Sequence, residues 1–291
     1  MNLKGILDIA GRSDTGRVRT QNEDKIDFDD QLGLVVLADG MGGYNGGEVA
    51  SDIAVTTIVE ELKATIPRLK IGETDDDTGY FYESLAARQS IIKANDKIYK
   101  ASQNQPQYQG MGTTVVMGLF YNNHITVAHV GDSRMYRYRD QNLEQITVDH
   151  TLLQELVDRG FYSQQEANES MNKNLVTRAL GIENSVAVDI HEDLVLPGDI
   201  YVLCSDGLSD MVDNDVIHSI LKDSGKNLDQ VADQLIARAN ENGGKDNVSV
   251  LLIRPKKSFA VKKNWHEKMV DWLLRKEKNS VKRQRPAIES G

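Results

Sequence analysis

Carboxylates recur beside glycine or asparagine in four places: Asn22-Glu23-Asp24, Asp39-Gly40-Met41-Gly42-Gly43, Gly131-Asp132-Ser133-Arg134, and the pair Ser205-Asp206-Gly207 with Lys245-Asp246-Asn247. Any one of these is ordinary turn chemistry, since Asp and Gly both favour tight turns. Two of them share a more specific context. Leu34-Val35-Val36-Leu37-Ala38 runs into Asp39, and Ile200-Tyr201-Val202-Leu203-Cys204 runs into Ser205-Asp206. A carboxylate at the end of a buried strand, backed by glycine, faces a cleft rather than bulk water. Carboxylates gathered in that way repel one another unless a hard cation holds them, so the pattern reads as a site for several oxygen-liganded metal ions. Arg19 lies four residues before Glu23, and a guanidinium beside such a cluster suits a phosphate, whose oxygens it grips two at a time. Standing alone it would be a surface arginine in a polar loop.

The elements that must position these residues follow from apolar patterning. Leu7 to Ala10 and Leu34 to Ala38 read as strands, and Gly46 to Ile66 as a helix with Ala50, Ile53, Ala54, Ile58 and Leu62 on one side. Gly72 to Gly79 is a solvated loop, and Tyr80 to Ser102 a second long helix. Thr113 to Phe120, His124 to Val130, Met135 to Tyr138 and Leu143 to Val148 then follow as strands with short polar turns. The Asn122-Asn123 pair between two of them is a hairpin signal. Short connections make these strands antiparallel, because a parallel pair needs a long crossover. His150 to Gly160 reads as helix, Ser163 to Lys173 as a polar insert, and Val186 to Asp193 and Ile200 to Cys204 as strands. Asp213 to Lys222 and Asn227 to Asn240 are helical, and Val248 to Arg254 is a final strand. Paired helices and runs of antiparallel strands predict an α+β fold of two facing sheets with helices outside.

Composition bounds the function. The 291 residues suffice for a well-buried core, and 40% hydrophobic with 27% charged residues is ordinary for a globular chain. No apolar run approaches the roughly 20 residues that span a bilayer, and the first residues lack the apolar core of a secretory signal. A cytoplasmic location is expected. Cys204 is the single cysteine, which excludes an internal disulfide; inside an apolar run it reads as a buried structural thiol. Of 34 basic and 44 acidic residues, 11 and 4 fall in positions 256–291, giving that tail +7 and the remainder −17. So acidic a body is unsuited to nucleic acid but suited to capturing cations. In the tail, Trp265, Met269, Trp272 and Leu273 fall at helical spacing among lysines and arginines. That stripe either packs back on the acidic body or meets an acidic partner or an anionic membrane surface.

The ordered blocks Val18-Arg19-Thr20-Gln21-Asn22-Glu23-Asp24, Ala38-Asp39-Gly40-Met41-Gly42-Gly43, Gly112-Thr113-Thr114, Val130-Gly131-Asp132-Ser133-Arg134, Thr177-Arg178-Ala179-Leu180-Gly181, Cys204-Ser205-Asp206-Gly207-Leu208 and Gly244-Lys245-Asp246-Asn247-Val248 resemble a known motif series. It is that of the metal-dependent protein serine/threonine phosphatases, the protein phosphatase type-2C family, in its bacterial form. Each block is weak alone; seven in order are specific. The resemblance covers about residues 3–254 and implies a four-layer α-β-β-α sandwich, with a catalytic domain over 1–255 and the tail, 256–291, outside it. It implies two Mn²⁺ or Mg²⁺ ions, with Asp39 and Asp206 central to catalysis. Asp39 would bridge both ions, Asp206 and Asp246 complete the first, and Glu23 with the Gly40 carbonyl serve the second. Asp132 would share a third, weaker ion with Asp206, and Arg19 would hold the substrate phosphate. Residues around 150–180 correspond to a flap beside the site.

The chemistry implied is hydrolysis of phosphoserine and phosphothreonine on proteins, opposing a bacterial serine/threonine kinase, by a protein acting as a monomer. Phosphate monoesters need acceleration of up to ~10²¹-fold, which divalent ions supply by activating water and neutralising charge, without a protein nucleophile. All-oxygen ligands suit Mg²⁺ or Mn²⁺. Some family members carry a histidine as general acid directly after the Asp-Gly; here Met41 stands there. That leaves water held by the ions, or His150, as proton donor, although a lone histidine at a helix start is more often a capping or packing residue. The competing reading is a phosphoprotein-binding module without turnover, which would be expected to have lost one of Glu23, Asp39, Asp206 or Asp246. All four are present.

Overall fold

The computed structural model describes residues 2–43, 46–163, 175–223 and 227–261. The chain separates into two compact units, Met1–Phe259 and Ala260–Gly291; the first holds the fold described below. The amphipathic pattern from 262 onwards and most of the polar insert at 163–173 lie outside the described residues.

Leu34-Val35-Val36-Leu37 shows how the layers arise. All four are fully buried, because alternate side chains leave a strand on opposite faces and here both faces are covered. Val35 and Leu37 point between the two sheets, whereas Leu34 and Val36 meet the helices. One sheet contains β1 (Leu7–Asp14), β7 (Arg134–Arg139), β8 (Asn142–Gln145), β10 (Ile200–Cys204) and β11 (Val248–Pro255), in the order β1-β11-β10-β7-β8. The other runs β2 (Asp24–Asp29), β3 (Leu34–Met41), β5 (Val115–Tyr121), β6 (His124–Val130), β9 (Asp189–Leu194), with the two-residue β4 (Gly112–Thr113) paired to β3. Every pairing is antiparallel.

Helices α1 (Gly46–Thr65) and α2 (Tyr82–Asn104) cover the outer face of the β2–β9 sheet. A short α3 spans Leu152–Asp158 and a single turn, α4, spans Asp206–Ser209; α5 (Asn214–Asp223) and α6 (Leu228–Glu241) cover the other sheet. The α+β class and the four α-β-β-α layers expected from the sequence are those of the structure. Between the sheets, Phe120 and Tyr201 meet edge to face with ring centroids 5.4 Å apart, an arrangement favoured by the ring quadrupoles. Cys204 is buried and its thiol is pushed up to about 12 by desolvation, so it is inert. Asn122 and Asn123 both take positive φ (44° and 58°) in the β5–β6 hairpin, the mirror-image turn that matches strand twist.

Several boundaries differ from the sequence reading. The final strand of the four-strand run ends at Gln145, beyond which Ile146 N–H still bonds the Met135 carbonyl but the Met135 N–H donates to the Thr147 hydroxyl instead of a backbone carbonyl. The strand β9 begins at Asp189 rather than Val186. The strand β2 is additional. Its Asp24-Lys25-Ile26-Asp27-Phe28-Asp29 is half acidic and occupies the sheet edge, where charged residues discourage pairing with other chains. The strand β3 does not stop at Ala38: it carries Asp39 and runs on to Met41, because Gly40 and Met41 pair with β4.

Replacing Phe120 by alanine empties the centre of the inter-sheet layer and removes the Tyr201 contact. Urea unfolding of Phe120→Ala is expected to show a loss of about 3–5 kcal/mol; a loss below ~1 kcal/mol would contradict this packing.

Candidate active site

Arg19, Glu23, Asp39, Gly40, Asp132, Asp206 and Asp246, separated by up to 227 positions in sequence, line one cavity of about 360 Å³. Met41, Gly42, Thr114 and Val176 complete its wall. The cavity gathers contributions from β3, from the loops before β2 and before β11, from the β6–β7 turn, and from the start of α4.

Backbone contacts that few sequence signals reveal hold the carboxylates in place. Asn247 donates from Nδ2 to the carbonyls of Thr15 (3.0 Å) and Gln21 (2.8 Å), and its Oδ1 accepts from the Glu23 N–H at 2.8 Å. One amide therefore ties the Lys245-Asp246-Asn247 motif to the Glu23 segment. The Asp39 carbonyl accepts from the Thr114 N–H and the Thr113 hydroxyl, both at 2.8 Å, while the Asp39 N–H donates to Thr114 Oγ1 at 3.2 Å. The Ser205 hydroxyl donates to Asp24 Oδ2 at 2.8 Å. Gly40 N–H bonds the Glu23 carbonyl at 3.1 Å. A Cβ on Gly40 would strike the Gly47 carbonyl, and one on Gly207 would strike the Asn247 carbonyl. Both glycines are demanded by close backbone approach. Glu23 Oε1 lies against Gly47, at the N-terminus of α1, where backbone N–H groups and the helix dipole favour a negative charge.

The charge in this cavity is poorly compensated by protein alone. Burial, followed by the charges of Asp132, Asp210, Asp246 and Asp24, pushes the Asp206 carboxyl up to about 8. Burial and then Asp24, Asp206 and Asp132 hold Asp39 well above the carboxylate range. Asp24 and Asp132 are each raised to about 6, chiefly by desolvation, and Glu23 is raised for the same first reason. Asp206 Oδ1 and Asp24 Oδ1 are buried without a hydrogen-bond partner, and such acceptors are rare without a reason. Among the described residues lining the cavity the cation is Arg19, about half exposed, whose guanidinium meets Asp246 Oδ2 at 2.7 Å. Oxygen-only donors, an orphaned buried acceptor and repelling carboxyls fit divalent ions of the Mg²⁺ or Mn²⁺ kind.

Asn247, Thr114 and Asp24 belong to the motif blocks without having been singled out, and Val176 lies beyond the acidic clusters altogether. Their signal is weak because they act through single hydrogen bonds or packing. His150 is not a wall of the cavity. It is buried, its Nδ1 accepts from the Gly131 N–H at 3.0 Å, and Nε2 faces Asp189 Oδ2 at 3.3 Å. Burial, His129 and Arg178 push it down to about 4, and with both ring nitrogens engaged away from the cavity wall its contacts are those of a packing residue. The potential ligand atoms of His129, His150 and Asp189 lie within 4.8 Å of one another. A cation of the chain itself already serves that group, since the Arg178 guanidinium meets Asp189 Oδ1 at 2.7 Å.

Comparison with known proteins accords with this geometry. The family described as Protein phosphatase 2C matches residues 14–247. The serine/threonine phosphatase stp of Listeria welshimeri is 37% identical over 245 residues, covering 83% of this chain and 93% of the relative. The crystal structure of the Mycobacterium tuberculosis serine/threonine phosphatase PstP/Ppp superposes with a TM-score of 0.75 at 35% identity, covering 85% of this chain and 98% of that one. The catalytic domain of serine/threonine protein phosphatase PstP in complex with two manganese ions superposes with a TM-score of 0.70 at 35% identity, covering 85% and 97%. The chain belongs to the protein phosphatase 2C family.

The raised carboxyls dictate how the metal-free protein responds to pH. Asp24, Asp39, Asp132 and Asp206 bind protons more tightly when folded than the value of 3.8 they start from. Their contribution to stability is complete below about pH 4 and is lost as pH rises through 6 to 8. The melting temperature of the metal-free protein is therefore expected to fall between pH 5 and pH 8. Saturating Mn²⁺ is expected to raise it more at pH 8 than at pH 5; a larger shift at pH 5 in differential scanning calorimetry would contradict this.

Proposed function

We propose that the chain hydrolyses phosphoserine and phosphothreonine on proteins, with Asp39, Asp206, Asp246, Glu23 and the Gly40 carbonyl holding two divalent ions. It is a metal-dependent serine/threonine phosphatase of the 2C type. The observation that carries the residue assignment is the meeting of those side chains around one 360 Å³ cavity beside a single guanidinium. Divalent ions bound there supply an activated water and neutralise charge on the transferring group.

The chain's own residues account for the remainder. Asp39 lines the cavity with its backbone locked by Thr113 and Thr114, so its position is set before any ligand arrives. Asp132 and Asp206 repel each other across the cavity, which supports a third, weaker ion between them. Arg19 is held by Asp246 yet half open to solvent. It would grip the substrate phosphate, whose oxygens a guanidinium meets two at a time. Met41 carries no proton, so no side chain at that position would protonate the leaving alkoxide. A binding module without turnover is not favoured, because the ligand set is complete and the relatives are phosphatases.

The substrates are phosphorylated proteins, among them those of a serine/threonine kinase that this enzyme opposes. A cytoplasmic location suits that role, and no helix among the described residues is long and apolar enough to cross a membrane. The catalytic domain occupies 1–255. Of the residues that follow, Lys256 N–H bonds the Ile6 carbonyl and Phe259 is buried on the body, and the basic sequence beyond them would suit an acidic partner or an anionic membrane surface.

Chelation is expected to abolish turnover of p-nitrophenyl phosphate and of phosphothreonine peptides, and Mn²⁺ to restore it. Asp39→Asn and Asp206→Asn are each expected to lower kcat by at least about 10²-fold, by analogy with loss of one preorganised charge-stabilising group; turnover within twofold of the parent would remove the assignment. Arg19→Ala is expected to raise KM about tenfold, with the number of bound ions unchanged by calorimetry. A normal KM would contradict the phosphate-grip role.

A further inference from the structure

We propose that a groove beside the catalytic cavity receives an apolar side chain of the substrate close in sequence to the phosphorylated residue. The proposal rests on the phosphatase reading above. A second cavity, of about 600 Å³, adjoins the catalytic one and shares Met41 and Val176 with it. A peptide whose phosphate sits near Arg19 has this groove as the adjoining hollow for a neighbouring side chain.

The groove is built before any ligand arrives. Its far wall is the segment 177–187, and hydrogen bonds to the body pin that segment at several points. Thr113 N–H donates to the Leu180 carbonyl at 3.1 Å, and Leu180 N–H returns to the Thr113 carbonyl at 2.8 Å. Gly181 N–H donates to Asn95 Oδ1 at 2.8 Å, while Asn95 Nδ2 donates to the Glu183 carbonyl at 3.1 Å. Gly181 has φ of +84°, and a Cβ there would run into Ile98. The Arg178 guanidinium reaches across the segment to Asp189 Oδ1 at 2.7 Å and the Ala187 carbonyl at 3.2 Å. A preformed hollow of this kind binds with little ordering cost.

Its surface selects the occupant. Met41, Val176, Ala179, Ile182, Val186 and Ala187 give it an apolar lining, and Ile182 leaves 49% of its surface exposed. Arg178 is the basic residue of the lining, and its charge is spent on Asp189. Glu183, on the rim, repels an acidic side chain. Leucine, isoleucine, methionine or phenylalanine therefore fits better than aspartate or glycine.

The test compares phosphothreonine peptides of one length, with Leu, Gly, Asp or Lys placed in turn at each of three positions on either side of the phosphoresidue. At one position kcat/KM for the Leu peptide is expected to exceed that for Gly by about tenfold, the scale of one apolar side chain in a pocket, and that for Asp by more. In Ile182→Asp the Leu-to-Gly ratio is expected to fall towards one, while Ile182→Met retains it. A ratio within twofold at every position, a preference for Lys, or a Leu preference that survives in Ile182→Asp would overturn the groove's role while p-nitrophenyl phosphate is still hydrolysed. Failure of the wild-type protein to hydrolyse p-nitrophenyl phosphate with Mn²⁺ would instead overturn the phosphatase reading, and the groove proposal with it.

Discussion

Mutual repulsion among buried carboxylates is the constraint around which this molecule is arranged. Asp39, Asp206, Asp132 and Asp24 each hold their protons more tightly than a free carboxyl, because they are desolvated and face one another. Without a counter-charge the cluster lowers stability near neutral pH, since folding then forces like charges together or forces protons onto them. Divalent cations turn the same crowding into affinity. A fold that keeps such a cluster has accepted an electrostatic cost in the metal-free state in return for a binding site.

The scaffold resists that repulsion by fixing backbone rather than side chains. Asn247 joins segments more than 220 residues apart in sequence, Thr113 of β4 and Thr114, between β4 and β5, lock Asp39, and glycines at 40 and 207 let backbone segments touch where any side chain would intervene. These contacts are short, specific and remote from the hydrophobic layers, yet they depend on those layers. Phe120, Tyr201 and their neighbours between the sheets set how far apart the strand ends lie, and so how closely the acids converge.

Much of this was legible in the sequence, and the unread parts have physical reasons. The apolar runs at Leu34-Val35-Val36-Leu37 and Ile200-Tyr201-Val202-Leu203 announce strands covered on both faces, and the paired asparagines at 122 and 123 announce the hairpin between two of them. Acids flanked by glycine announce a cleft. The strand β2 was not legible because an edge strand protects itself with charge, which erases the apolar signal. The extension of β3 beyond Ala38 depends on Asp39 pairing with Asp24 of β2 and on Gly40 and Met41 pairing with β4, a partner more than 70 residues away. The second hollow depends on Asn95 and Thr113 reaching a segment around Leu180, and no local pattern encodes such a contact. His150 looked ambiguous from sequence because its role is set by the Gly131 N–H that it accepts.

Calorimetric titration of the metal-free protein with Mn²⁺, repeated in buffers of different ionisation enthalpy, tests the central claim directly. Ions that replace protons on a repelling acidic cluster must release them, since carboxylates bind metal deprotonated. At pH 7, below the value of about 8 to which Asp206 is raised, the account requires at least two ions bound, net proton release, and release that declines towards pH 9. Binding of no Mn²⁺, or binding whose heat is the same in every buffer at pH 7, would contradict it.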